Sequence, residues 1–261
     1  MCFTLLSQIT YSQPLIVQST TSTLNSGFFD YILPIINDEL GIKAHIVGAG
    51  TGAAIKNAEN CDGDVLIVHA REREEKFVKS GFGLKRENLM YNDFVIVGPS
   101  SDPVKIINLE DIISVFKKIA SNRHFFISRG DESGTNIKEL KIWELAGVNL
   151  KPESGKWYYE VGAGMGSTLN IAIQLNAYVL TDRATWISFK NKSNFKILFE
   201  GDDLLFNQYG IISINPSHCP NTKYKEAKKF IDWLVSKHGQ NKIKKYILKG
   251  EQLFFPNHNP N

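Results

Sequence analysis

The 261-residue chain predicts an α/β fold of two lobes, each a mixed sheet flanked by helices, and three features carry that prediction. A short apolar strand, a polar loop and an amphipathic helix follow one another four times, twice in each half. Two longer apolar strands, at 91–99 and 208–214, run into Gly98-Pro99 and Asn215-Pro216 and read as crossovers between the halves. The helices after residue 224 then return to the first half. The expected division is 14–95 with 213–261 for lobe 1 and 96–212 for lobe 2. Residues 1–13 read as a signal remnant or a disordered arm.

Residues 14–17 (PLIV) form the first expected strand, and five hydroxyl residues, 19–23, follow it. Phe28, Phe29, Ile32, Leu33, Ile36 and Leu40 fall at helical spacing, with Gly41 as the C-cap and Pro34 expected to kink or split the helix. A strand at 43–47, a glycine-rich turn at 48–53, a short helix to 58 and a strand at 64–68 make a βαβ unit. Arg71 begins an exposed helix, where a surface ion pair is expected. The second half reads as a helix at 109–120, a strand from 125 and a helix with Ile137, Leu140 and Trp143 on one face. A strand at 157–161, a second glycine-rich turn at 162–168 and a helix from 169 come next. A strand at 177–181 ends in Asp182-Arg183, expected as an internal pair at the lobe interface, and 196–199 is a further strand. The closing helix at 225–236 turns Ala227, Phe230, Ile231 and Leu234 inward.

An apolar fraction of 43% and a charged fraction of 22% suit a globular protein with an ample core. A net charge of +3 is too small to indicate nucleic acid, and the lysines at 223–249 read as a solvated helical face. Cys2, Cys61 and Cys219 include no CxxC; their odd count and wide spacing argue against a disulfide framework or zinc site. A Cys61–Cys219 pair stays open for an oxidising compartment. No apolar run reaches eighteen residues. HExxH, GxSxG and GxxxxGK[ST] are all missing, so catalysis has no motif behind it.

What the chain does offer is a seat for an anion. In SRGDESGT (128–135) a strand passes through Arg129 into a helix whose first-turn amides have no carbonyl partner and face the positive end of the dipole. Arg129 adds a permanent forked charge suited to a tetrahedral oxyanion. The runs at 19–23, 50–52 and 164–168 can converge on the same anion with backbone N–H groups and hydroxyls. The candidate ligand set is Thr20, Thr21, Ser22, Thr51, Arg129, Ser133, Gly134, Thr135, Gly166, Ser167 and Thr168. Asp131 discriminates between ligands. Pointing into the cleft it would accept a proton from phosphate; at the helix end it leaves a site for a fully deprotonated anion. A competing reading takes 48–53 as GxGxxG/A with Glu72 on a ribose, as in a nucleotide-dependent oxidoreductase.

Taken in order, TTSTLNSG, VGAGTG, DVLIVHAR, MYNDFVIVGP, SRGDESGT, GAGMGSTLN, AYVLTDR and GEQLFFPN resemble the extracytoplasmic tungstate-binding proteins of ABC importers. These belong to the type II periplasmic binding proteins. The resemblance spans 20–256 and implies a monomer without catalysis or cofactor that traps tungstate, or molybdate or phosphate as alternatives, between its lobes. It further implies delivery to a membrane permease and a periplasmic or otherwise extracytoplasmic location. The family's arginine falls on Arg129, its SGT donors on Ser133 and Thr135, and its second-lobe loop on Gly166, Ser167 and Thr168. Ser19 stands where the family's first motif has a threonine.

Overall fold

The computed structural model describes residues 13–258. The expected signal remnant or arm lies outside them except for Gln13, as does Cys2. In the first half the chain forms β1 (Leu15–Thr20), α1 (Thr21–Asn25), α2 (Phe28–Leu40), β2 (Ala44–Ala49), α3 (Thr51–Glu59), β3 (Val65–Val68), α4 (Arg71–Lys79) and β4 (Gly83–Pro99). The second half holds α5 (Ile112–Ser121), β5 (Phe126–Ser128), α6 (Gly134–Leu145), β6 (Tyr158–Glu160), α7 (Met165–Gln174), β7 (Val179–Asp182), α8 (Arg183–Ser188) and β8 (Phe195–Phe199). β9 (Phe206–Ile214), α9 (Tyr224–Val235), α10 (Lys237–Lys244), β10 (Ile247–Leu248), β11 (Glu251–Gln252) and β12 (Phe255–Pro256) complete it.

β1 lies between β2 and β3, parallel to both; β9 joins β3 antiparallel, and β4 and then β12 extend the sheet. β4 is 17 residues long and serves two sheets. Up to Asp93 it pairs with β9, and from Phe94 it pairs with β7 and β8 instead. The change of partner falls at 93/94. β9 pairs with first-half strands from residue 206 onward, earlier than the expected 213. The part of β4 before Tyr91 is polar and partly exposed, so no apolar run marks it as a strand.

Alternation along the strands fills both faces of each sheet. Val65 and Ile67 pack with Phe28, Ile32 and Phe230, while Leu66 and Val68 pack with Ala54, Ala58 and Phe77. Phe94 and Ile96 meet Val115, Phe116 and Trp143, while Val95 and Val97 meet Leu169, Ala172 and Trp186. All these side chains are within 4% of full burial, the condition for a dry core at about 25 cal/mol per Å² of apolar area removed from water.

Several expectations need correction. The hydroxyl run is not a loop: Ser19 and Thr20 finish β1, and the Thr20 hydroxyl caps the one-turn α1 by accepting from the Thr23 amide at 3.4 Å. α2 continues through Pro34 without a break; the bond a proline forfeits there is to the carbonyl of Asp30, an exposed residue. α7 starts at Met165, so Gly166, Ser167 and Thr168 belong to its first turn. α6 turns Asn136, Glu139, Ile142 and Trp143 inward and leaves Leu140 41% exposed. The buried Glu139 carboxylate is held by Trp143 Nε1 at 3.0 Å and the Tyr158 hydroxyl at 2.8 Å. Asp182 and Arg183 do not pair with each other. Asp182 caps α8 through the Thr185 amide and hydroxyl, while Arg183 grips Asp93 with two bonds at 2.7 and 2.6 Å and also meets Glu200. Arg71 makes its expected surface pair, with Glu75 at 2.7 Å.

Cys61 and Cys219 are disulfide-bonded, with Cα atoms 5.4 Å apart. The turn after α3 and the turn after β9 meet because the Asp64 carboxylate accepts from both the Ile16 and Lys223 amides at 2.7 Å. That proximity is tertiary and leaves no trace in cysteine spacing. The bond spans 158 residues of sequence, so replacing both cysteines by serine should cost about 2–5 kcal/mol in denaturant unfolding. An unchanged midpoint would show the bond to be energetically idle.

Burial pushes the Glu139 carboxyl up to about 7, against the lowering effect of its hydrogen-bond donors. A folded value above the unfolded one stabilises fully below the unfolded value, near 4.5, and the contribution is lost as pH rises through about 7. Glu139→Gln should therefore flatten the fall in melting temperature across pH 5–8; an unaltered profile would exclude this group as its source.

Candidate functional site

The first strands place their carboxyl ends level with one another, since Thr20 pairs with Ala49 and Ser19 with Ile67. In a parallel sheet this edge is where loops meet a ligand. Thr20, Thr21, Ser22, Ala49, Gly50, Thr51 and His69 come from it, and Arg129, Ser133, Gly134 and Thr135 close over them from the second half. Together they line a cavity of about 20 Å³, a little above the roughly 10–15 Å³ that one water needs. Eight of the eleven expected residues thus converge. Gly166 and Ser167 line a wider adjoining groove that shares Thr21, Ser22, Gly50 and Arg129. Thr168 lines neither; its hydroxyl donates back to the Gly164 carbonyl at 3.1 Å.

Hydrogen-bond donors gather around this space. α3 and α6 open there with Thr51 and Gly134, so their first amides have no carbonyl one turn back. The Ser133 oxygen accepts from the Asn136 amide at 3.3 Å as the N-cap, which leaves its O–H to donate elsewhere. Arg129, its side chain 13% exposed, is the one cationic side chain lining the cavity among the described residues. Asp131 binds it with Oδ2 at 3.1 Å from Nε and takes the Ser133 amide on Oδ1 at 3.2 Å. Asp131 thus sits at the helix end, off the small cavity but on the wall of the adjoining groove. Lys138 lies further along α6, its ammonium partly desolvated, held below the usual lysine range by burial and donating to the Phe206 carbonyl.

The second half comes within contact distance of the first at Gly134. A Cβ built there would lie 2.5 Å from His69 Cε1 and 3.3 Å from Thr51 Oγ1. Glycine is required by this approach alone, since its φ is not in the left-handed region. In the loop just before, Gly130 does need its freedom, at φ 59 and with Glu160 2.8 Å from where a Cβ would stand.

Residues 8–238 match the PBP superfamily domain model. The tungstate-binding protein of Peptoclostridium acidaminophilum is 42% identical over 93% of this chain and 85% of its own length. The chain belongs to the tungstate-binding proteins of the PBP superfamily. Two solved structures of this family superpose closely. The tungstate-binding protein of Desulfovibrio alaskensis G20 has TM-score 0.85, 42% identity and coverage of 95% of this chain and 100% of that one. The structure titled the tungstate ABC transporter of Geobacter sulfurreducens has TM-score 0.82, 44% identity and coverage of 90% and 99%.

Within this family fold, three lining residues were not among the candidates: Ala49, Gly50 and His69. Gly50 was legible inside the glycine-rich turn. His69 was not singled out, because an imidazole after an apolar strand carries no periodic signal. Residues 48–53 meet the small cavity through Ala49, Gly50 and Thr51, while Glu72, the expected ribose contact, lines neither it nor the adjoining groove and is exposed on α4. Gly134→Ala should hold residue 134 and His69 roughly 1 Å further apart, the difference between 2.5 Å and ordinary contact. A crystal structure of the variant with the two residues at their present separation would refute the claim that glycine sets this approach.

Proposed function

We propose that the chain is the solute-binding component of an ABC importer and captures tungstate between its two halves. The convergence of Thr20, Thr21, Ser22, Thr51, Arg129, Ser133, Gly134 and Thr135 on one small, donor-rich cavity with a single lining cation carries the reading. Backbone amides and hydroxyls meet the oxygens of a tetrahedral dianion, and Arg129 balances part of its charge. Gly166 and Ser167 guard the groove through which the anion enters. Family membership supports a transport role without a chemical step.

The engagement of Asp131 favours a fully deprotonated anion over phosphate in the small cavity. Both its oxygens are engaged at the start of α6 and it does not line the small cavity, so a protonated phosphate oxygen finds no carboxylate there. Sulfate is the smaller dianion, so selection against it rests on how closely the loops of both lobes can settle around the captured anion. The working lobes meet where β4 changes partners at 93/94 and where β9 begins at 206. Closure is favoured because both lobes share the anion, and the closed monomer is the form a membrane permease would receive, outside the cytoplasm.

Isothermal calorimetry with tungstate, molybdate, sulfate and phosphate tests this. Tungstate should bind tightest, and absence of heat with all four would sink the oxyanion reading. Arg129→Ala should weaken tungstate by about 1.5–3 kcal/mol, the range for hydrogen bonds to charged groups; equal affinity would place the site elsewhere.

A further inference from the structure

His69 stands at the end of β3 beside the cavity-lining hydroxyls, and its surroundings are unusual for a polar ring. Both ring nitrogens are shut off from solvent, and neither is in hydrogen-bonding geometry with a protein group. The ring packs on Tyr209, centroids 4.9 Å apart, and faces Gly134 from the opposite half. Asn207 lies beside the ring, but its Nδ2 donates to Asn92 Oδ1 at 2.7 Å and its Oδ1 is not in hydrogen-bonding geometry with either ring nitrogen. A buried donor without a partner costs about 1–3 kcal/mol, so such an atom calls for an acceptor that arrives from elsewhere.

We propose that His69 is a further anion-contacting residue, whose neutral imidazole donates one ring N–H to an oxygen of the captured oxyanion. The inference rests on the oxyanion reading of the same cavity and extends it to a residue outside the expected ligand set. Burial holds the imidazole down at about 4, opposed by Asn207 and assisted by the charges of Arg129 and Lys138. Near neutral pH the ring therefore keeps one N–H and no charge. Tyr209 on β9, Arg129 before α6 and Lys138 on α6 face it, and Arg71, Glu72 and Arg73 on α4 line the outer groove that its far side borders. Among the described residues no carboxylate lines the small cavity to compete for the ring N–H.

Calorimetry with sodium tungstate on the full chain separates donor from shape. His69→Leu keeps the bulk without the N–H and should bind about tenfold or more weakly, whereas His69→Gln keeps a neutral N–H and should stay within about fivefold of the original chain. A Leu variant within about twofold, or a Gln variant as weak as Leu, overturns the proposal. If the unmodified chain takes up no tungstate, the oxyanion reading itself fails; if it binds and the Leu variant binds equally, only the role of His69 fails. Should the Leu variant not fold, imidazole ¹⁵N NMR of the unmodified protein decides. Tungstate should produce one slowly exchanging ring N–H that is lost in His69→Gln, and no such signal overturns the contact.

Discussion

Two helix starts buried at one point are the constraint on which the rest of this structure depends. The first amides of α3, at Thr51, and of α6, at Gly134, have no intrahelical acceptor, and both face the same small cavity. Packing could have hidden them only by leaving donors unpaired, so the fold keeps a space beside them. Arg129 sets the sign of what fills that space, and Asp131 orients its guanidinium while offsetting part of its charge.

The geometry of these starts is set by β4. It carries the first half's sheet up to Asp93 and the second half's from Phe94, so one continuous strand fixes how the two halves face each other. Arg183 clamps Asp93 at that change of partner with two hydrogen bonds. The clamp's side chains are about one-fifth exposed, so its Coulombic attraction is partly screened and its worth lies in orientation.

How much of this was readable depended on whether a feature was local. Apolar strands that stop at hydroxyls or glycines are local, and they located the loops that now line the site. Arg129 was legible because strand, arginine and helix start follow one another directly. The inward face of α6 was misread because its most buried polar member, Glu139, is satisfied by Trp143 and Tyr158 across space, while Leu140 is left at the surface. The early part of β4 was missed because one side of it faces solvent. The partnership of Cys61 with Cys219 stayed open, and the role of His69 unassigned, for the same reason: each depends on a chain return that only the folded sheet defines.

The bond between Cys61 and Cys219 has a topological consequence. Everything between them, including the whole second half, is a covalently closed loop hung from the first sheet. A single protease cut anywhere from 62 to 218 would leave two pieces that still migrate as one molecule until a reductant separates them. The same closure orders biogenesis: the bond waits for the segment after β9, so the inserted half is already synthesised when the loop is locked.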